Sequence, residues 1–245
     1  MRTTPAPFRR LAAVAVLALV ATTAAACGDD EKSGDSGDSG DSPSVTQEQL
    51  DAAALTLENF TGDDWEEVPH EDDEDNDSPG CFGDIGDSID ELDPTLESKH
   101  QFEDSTIGLP SVSHEVLYFE DEGAITEKFD EVQEGLASCT EINETSDEGI
   151  TFDVTITSDE EPISDEVDDQ INIVIAGTIT QEGTPNNISQ HVSISRIGNV
   201  LTQVGTLDLG DESEMHAGLA QIAVDRLVAA LAGEEPAETA APPAA

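Results

Sequence analysis

From about Val45 onward, apolar residues recur at regular spacings through an otherwise polar chain, and each spacing predicts an element. Over Thr46–Asn59 the residues Leu50, Ala53, Ala54 and Leu57 share one helical face. Thr46 followed three positions later by Gln49 is a capping pair for that helix. Ala124–Ser138 predicts a second helix, with Ile125, Phe129, Val132 and Leu136 on its stripe. Glu214–Leu231 predicts the third and longest, with Leu219, Ile222, Ala223, Leu227 and Ala230 in line and Gly233 to stop it. Alternation with period two marks strands at Glu115–Phe119, Ile150–Thr157, Ile171–Thr180, Ile188–Ile197 and Val200–Leu207. The stretch GTPNN reads as the turn before Ile188, and Gly198-Asn199 as a two-residue hairpin. The expected fold is α+β: a twisted antiparallel sheet of about five strands, buried on one face and packed with two to three helices.

Ahead of this pattern the chain follows other rules. Met1–Arg10 carries three arginines, Leu11–Val20 is a ten-residue apolar run, and small residues continue to Cys27. That is the layout of a secretory signal. A membrane span needs about 20 apolar residues, whereas this run is Ala-rich and broken by Thr22 and Thr23. The junction Ala24-Ala25-Ala26-Cys27 resembles a bacterial lipobox. The resemblance implies that residues 1–26 are a lipoprotein signal peptide and that Cys27 becomes an acylated amino terminus. Ala24 departs from the commonest lipobox residue, leucine, at that position. Residues 27–44, with a Gly-Asp-Ser repeat, have almost nothing to bury and read as a flexible tether. A folded domain is expected over 45–233, and 234–245 (EEPAETAAPPAA) as a disordered tail.

Charge narrows the partners. The 245 residues hold 56 acidic side chains, none before Asp29, and from Cys27 onward only five basic ones, a net charge of −51. Such a surface repels phosphate, so nucleic acid is excluded as a partner. Because the acids interleave with Ile, Val, Leu and Phe, they read as the surface of a folded core rather than as a disordered chain. Secretion and solubility account for the acidity, and so does adaptation to salt, where screening relieves self-repulsion.

With Cys27 assigned to lipid, Cys81 and Cys139 remain and can form one disulfide. A compartment beyond the membrane permits it.

The landmarks also occur in a familiar order. Leu55-Thr56, Phe60-Thr61-Gly62 and Trp65 precede Cys81; VLYF, a helix from Ala124 with Phe129 and Leu136, and Cys139 follow it. Then come Pro162-Ile163-Ser164-Asp165-Glu166, SRIGNVLTQV and LAQIAVDRLVAAL. This order, over about Leu50–Leu231, resembles the PknH-like extracellular sensor domain of actinobacterial kinases and lipoproteins. The LpqN-type mycobacterial lipoproteins are a nearby alternative. The resemblance implies a strongly twisted antiparallel sheet with helices around a ligand cleft. The kinase's own domain has two disulfides, whereas this chain can make one. Kinase motifs are absent: no Gly-rich loop with a lysine strand, no HRD, no DFG.

Catalytic patterns are sparse. Neither GxSxG nor HExxH occurs. Gly86-Asp87-Ser88-Ile89 resembles the nucleophile block of GDSL hydrolases, with Ser88 as nucleophile. The Asp-x-x-His partner of that family is missing, since Ser213 stands three residues before His216. Asp73, Asp75 and Asp77 alternate as in calcium loops, yet Ser78 and Asp84 replace the Gly and Glu an EF-hand needs, leaving diffuse cation binding. The five histidines lack ligand spacing, so no metal or cofactor is expected. Trp65, the single tryptophan, reads as a core or rim anchor. Together these readings predict a non-catalytic ligand-binding or sensor-type domain. It would be held by its lipid to the outer, cell-wall side of the cell membrane, with a small ligand or protein as partner. A GDSL-like exported hydrolase and a passive surface scaffold are the alternatives.

Overall fold

The computed structural model of the chain describes residues 45–70, 80–83, 85, 93–146, 149–210 and 213–243. The signal, the tether, Cys27, Ser88 and the Asp73–Asp77 alternation lie outside these residues. Eight strands form one antiparallel sheet: β1 Trp65–Val68, β2 Leu96–Asp104, β3 Ser111–Tyr118, β4 Glu141–Thr145, β5 Thr151–Asp159, β6 Asp169–Gln181, β7 Thr184–Ile197 and β8 Val200–Asp208. Their spatial order is β1-β2-β3-β8-β7-β6-β5-β4. Two meanders, β1–β3 and β4–β8, are therefore joined where β3 pairs with β8. Helix α2 (Glu122–Ser138) carries the chain from β3, inside the sheet, to the far edge at β4. Helices α1 (Gln47–Ala53) and α3 (Ser213–Leu231) complete the ordered core.

The expectation of about five strands is corrected to eight, and of two to three helices to four, the fourth being a short one that carries Cys81. The five expected strands are β3 and β5–β8. The three others bury too few apolar side chains to alternate visibly. Among β4 residues only Ile142 is buried, and β2 presents Ser98 and His100 between Leu96 and Phe102. The expected single buried face is also corrected, because both faces are covered. Under α2 lie Leu117, Leu201, Ile194, Ile171, Ile173, Val154 and Ile156, packed against Ile125, Phe129, Val132 and Leu136. On the opposite face Val112, Val116, Val200 and Val204 meet Leu50 and Ala53 of α1 and Leu219, Ala223 and Leu227 of α3. All the β8 residues from Val200 to Leu207 are buried, which is why its polar positions cannot face water.

Local departures have local causes. The first helix keeps its Thr46–Gln49 capping box but ends at Ala53. Ala54 turns extended, the Leu55 N–H donates to His114 Nδ1 (3.1 Å), and Leu57–Asn59 forms a separate 3₁₀ turn. Arg226 of α3 clamps this break, donating to Ala54 O (2.8 Å) and Ala52 O (3.0 Å). The hairpin before β7 is tighter than GTPNN suggests. Glu182 and Gly183 both have positive φ, as a two-residue primed turn requires, so β7 opens at Thr184. Gly233 (φ +72°) ends α3 as expected, with Glu234 N–H donating to Ala229 O (2.8 Å). Beyond it Thr239 and Ala241 are hydrogen-bonded to Asn59 and Thr61. Cys81 and Cys139 form the expected disulfide, Cα atoms 5.7 Å apart and 58 positions apart in sequence. Closing a loop of that length removes unfolded-state entropy of about 4 kcal/mol.

Candidate functional site

The sheet buries polar side chains on both faces, and the two sets differ in kind. Beneath α3 lies a closed network. Asn172 Nδ2 donates to Asp159 Oδ1 (2.9 Å) and Glu161 O (3.0 Å), which leaves its Oδ1 as acceptor. Gln170 Nε2 (2.9 Å) and Ser193 Oγ (3.0 Å) both donate to that oxygen. Having donated its one proton, Ser193 accepts from His216 Nε2 (2.9 Å), and His216 Nδ1 accepts from Thr206 Oγ1 (3.1 Å). His114 is fixed by the same logic. Its Nδ1 accepts from Leu55 N–H, so Nε2 carries the proton and donates to Thr202 Oγ1 (3.0 Å). Burial pushes both histidines down to a pKa of about 3. His100 and Arg226 add to the shift at His114, and His191 adds to it at His216. Both rings are neutral at ordinary pH.

A serine 2.9 Å from a histidine invites a catalytic reading, and the geometry opposes it. The serine proton points to Asn172, not to the imidazole. A general base must accept the nucleophile's proton. The network is architecture that lets β6, β7 and β8 carry polar residues under a helix.

The opposite face carries a charged ladder. Cross-strand register sets Lys99 of β2 opposite Glu115 of β3, and Glu115 opposite Gln203 of β8. One step along, Gln101 faces Ser113 and Ser113 faces Gly205. Directly paired residues share a face, and Leu117, two positions beyond Glu115, places this face on the α2 side. Glu115 is 1 % exposed, and Ser113 and Gln203 are also buried. His70, just past β1, sets Nε2 3.4 Å from Glu115 Oε1. Lys99, itself largely buried, holds Nζ 3.1 Å from Glu97 Oε2. A buried carboxylate is tolerated only with opposite charge or hydrogen bonds about it; the His70 imidazole stands against Glu115, and Lys99 is its register partner on β2. Gly205 stands opposite Ser113 in the register, and the Ser113 hydroxyl has no hydrogen-bond partner among the described residues. The helices that bury the rest of the sheet lie elsewhere: α2 over the Leu117–Leu201 end and the β5–β6 side, α1 and α3 on the other face. Chemically the ladder offers a carboxylate, an ammonium, an imidazole, amides and a hydroxyl in two adjacent rows, groups of the kind that hydrogen-bond a small polar molecule.

Of the residues singled out in the sequence, Cys81 and Cys139 come together, while Cys27 and Ser88 fall outside the described residues. Trp65 packs at a tilt against Phe60 (ring centroids 4.5 Å) at the margin of the core, as an anchor. His216 is placed in the hydrogen-bonded network, where Ser193 accepts from it rather than giving it a proton. Sequence reasoning missed His70, Lys99, Ser113, Glu115 and Gln203. The available signal was a charge in the middle of an apolar strand, SVSHEVLY, in a chain with only five basic residues after Cys27. No protein-family profile matches the chain, and no curated protein matches it.

Proposed function

We propose that this chain is a cell-surface lipoprotein, anchored through acylated Cys27, whose α+β domain binds a small polar ligand or a partner on the outer side of the membrane without covalent chemistry. The likeness to the PknH-like sensor domain belongs to the same reading. The observation that carries the binding part is the Lys99–Glu115–Gln203 ladder with the neighbouring Ser113 hydroxyl left without a partner among the described residues. Building such a row into a sheet interior disfavours folding by several kcal/mol relative to apolar packing. Ligand contacts would offset that.

The test is native mass spectrometry of the protein purified from its own host. A small molecule released on denaturation is expected, retained by wild type and lost in Ser113→Val, which replaces the hydroxyl with apolar bulk opposite Gly205. A wild-type mass unchanged by denaturation would overturn the reading. Equal retention in the variant would move the site away from the ladder.

A further inference from the structure

After α3 the chain reverses at Gly233 and runs back toward the helix start, where Pro242 reaches Gly218. There an extended stretch lies in a groove between the 3₁₀ turn Leu57–Asn59 and the first turns of α3. Asn59 is fully buried and reads the backbone of that stretch at alternate positions. Its Nδ2 donates to Thr239 O (2.8 Å), and its own carbonyl accepts from Ala241 N–H (2.9 Å). The Asn59 side chain cannot rotate away, because Oδ1 accepts from Thr56 N–H (2.8 Å). Thr61 Oγ1 donates to Ala241 O (2.5 Å). The Ala241 side chain is buried in the cluster of Leu55, Phe60 and Leu219. Pro242 lies over Gly218, where a Cβ would come 2.5 Å from the proline Cδ.

We infer that this groove is a peptide-recognition site for extended, uncharged Ala/Pro-rich polypeptide, occupied in cis by residues 239–242 of the same chain. The contacts have the division of labour of strand-addition recognition, with main-chain hydrogen bonds for affinity and one small pocket for selectivity. The pocket takes alanine, and Gly218 admits the proline behind it. Nothing in the seated segment is charged, which suits a partner that must approach a surface of net charge −51. The short connection from Gly233 gives the cis segment an effective concentration in the millimolar range. Occupancy in cis thus needs only weak intrinsic affinity, and a partner segment presented at higher local concentration can exchange with it.

The test uses the full chain with a protease site introduced between Gly233 and Glu238, cut after folding. Trp65 packs on the same cluster and reports occupancy by its fluorescence. Peptide Pro236–Pro243 (PAETAAPP) is titrated into the cut protein after the released segment is removed. Saturable binding is expected, weakened at least tenfold by Gly218→Ala. That variant raises helix propensity, and the atoms its methyl meets first belong to Pro242 and Ala241, so its fold is retained. In the uncut Gly218→Ala chain the Ala241 amide should exchange its hydrogen at least tenfold faster. Absence of saturable binding up to several millimolar peptide, or equal binding by Gly218→Ala, would overturn the inference.

Discussion

The two faces of the sheet bury polar groups in opposite ways. Under α3 every proton in the Asn172–Ser193–His216–Thr206 chain has one direction, set by the Asn172 amide pointing at Asp159. On the α2 side, Lys99 and Glu115 bring charge and His70 an imidazole, and beside them Ser113 keeps a hydroxyl with no partner among the described residues. A satisfied network rigidifies a fold, whereas a partly satisfied one destabilises it unless something else completes it. The contrast separates architecture from site on physical grounds. It also explains why the Ser193–His216 pair, chemically the more suggestive, is the weaker functional candidate.

The largest expected break in this comparison comes from acid. His114 and His216 titrate near pH 3 in the folded protein against 6.5 unfolded. As pH falls below 6.5 the unfolded chain takes up these protons first. The stability held in the two neutral rings is therefore complete above 6.5 and erodes down to about pH 3. Each ring forfeits about 1.4 kcal/mol per pH unit over that window, so at pH 4.5 the pair withdraws about 5 kcal/mol. The groups facing His114 are His100, Arg226, Thr202 and the Leu55 amide; those facing His216 are His191, Ser193 and Thr206. Urea midpoints at pH 7 and 4.5 for wild type, His114→Gln and His216→Gln isolate this share from that of the carboxylates. Each substitution should remove one proton from the slope, and an unchanged slope would count against the neutral-ring assignment.

How much of this was legible in the sequence follows the same division. Strands β3 and β5–β8 were visible because Ile, Val and Phe alternate at period two, and α2 and α3 because their apolar stripes repeat at helical spacing. Strand β1 is too short and β4 too exposed to show a pattern. Strand β2 hides because its α3-side positions include Ser98 and His100, whose rings and hydroxyls bond one another and Glu67. The disulfide was legible because two cysteines remained once Cys27 was set apart. The ladder was not, because Lys99, Glu115 and Gln203 become neighbours only through the β2–β3 and β3–β8 registers. The second of these sets Glu115 opposite Gln203, 88 positions further along the chain, and no local spacing encodes that.

A smaller effect sharpens the α3 side. Ser193→Ala leaves His216 Nε2–H and one acceptor site on Asn172 without the hydroxyl that served both. A buried donor stranded in this way destabilises by about 1–3 kcal/mol. Chemical denaturation should show that loss in full at pH 7, with the cooperative slope unchanged because the fold stays compact.

The smallest expected effect has the opposite sign and discriminates best. Ser113→Ala makes the same chemical change on the other face, again at a buried serine on a central strand. Here the hydroxyl satisfies no described neighbour, so its removal relieves a desolvated group and strands nothing. The ligand-free protein should be unchanged or more stable by up to about 1 kcal/mol. The ligand-loaded protein should lose thermal stability relative to loaded wild type, since a bound molecule stabilises by mass action and the variant binds less of it. Ser113→Ala and Ser193→Ala thus form a matched pair in which side-chain chemistry and burial are nearly constant and only hydrogen-bond completion differs. Destabilisation of both free proteins by similar amounts would mean that Ser113 is satisfied in solution, and the ladder would then be architecture like the network behind it.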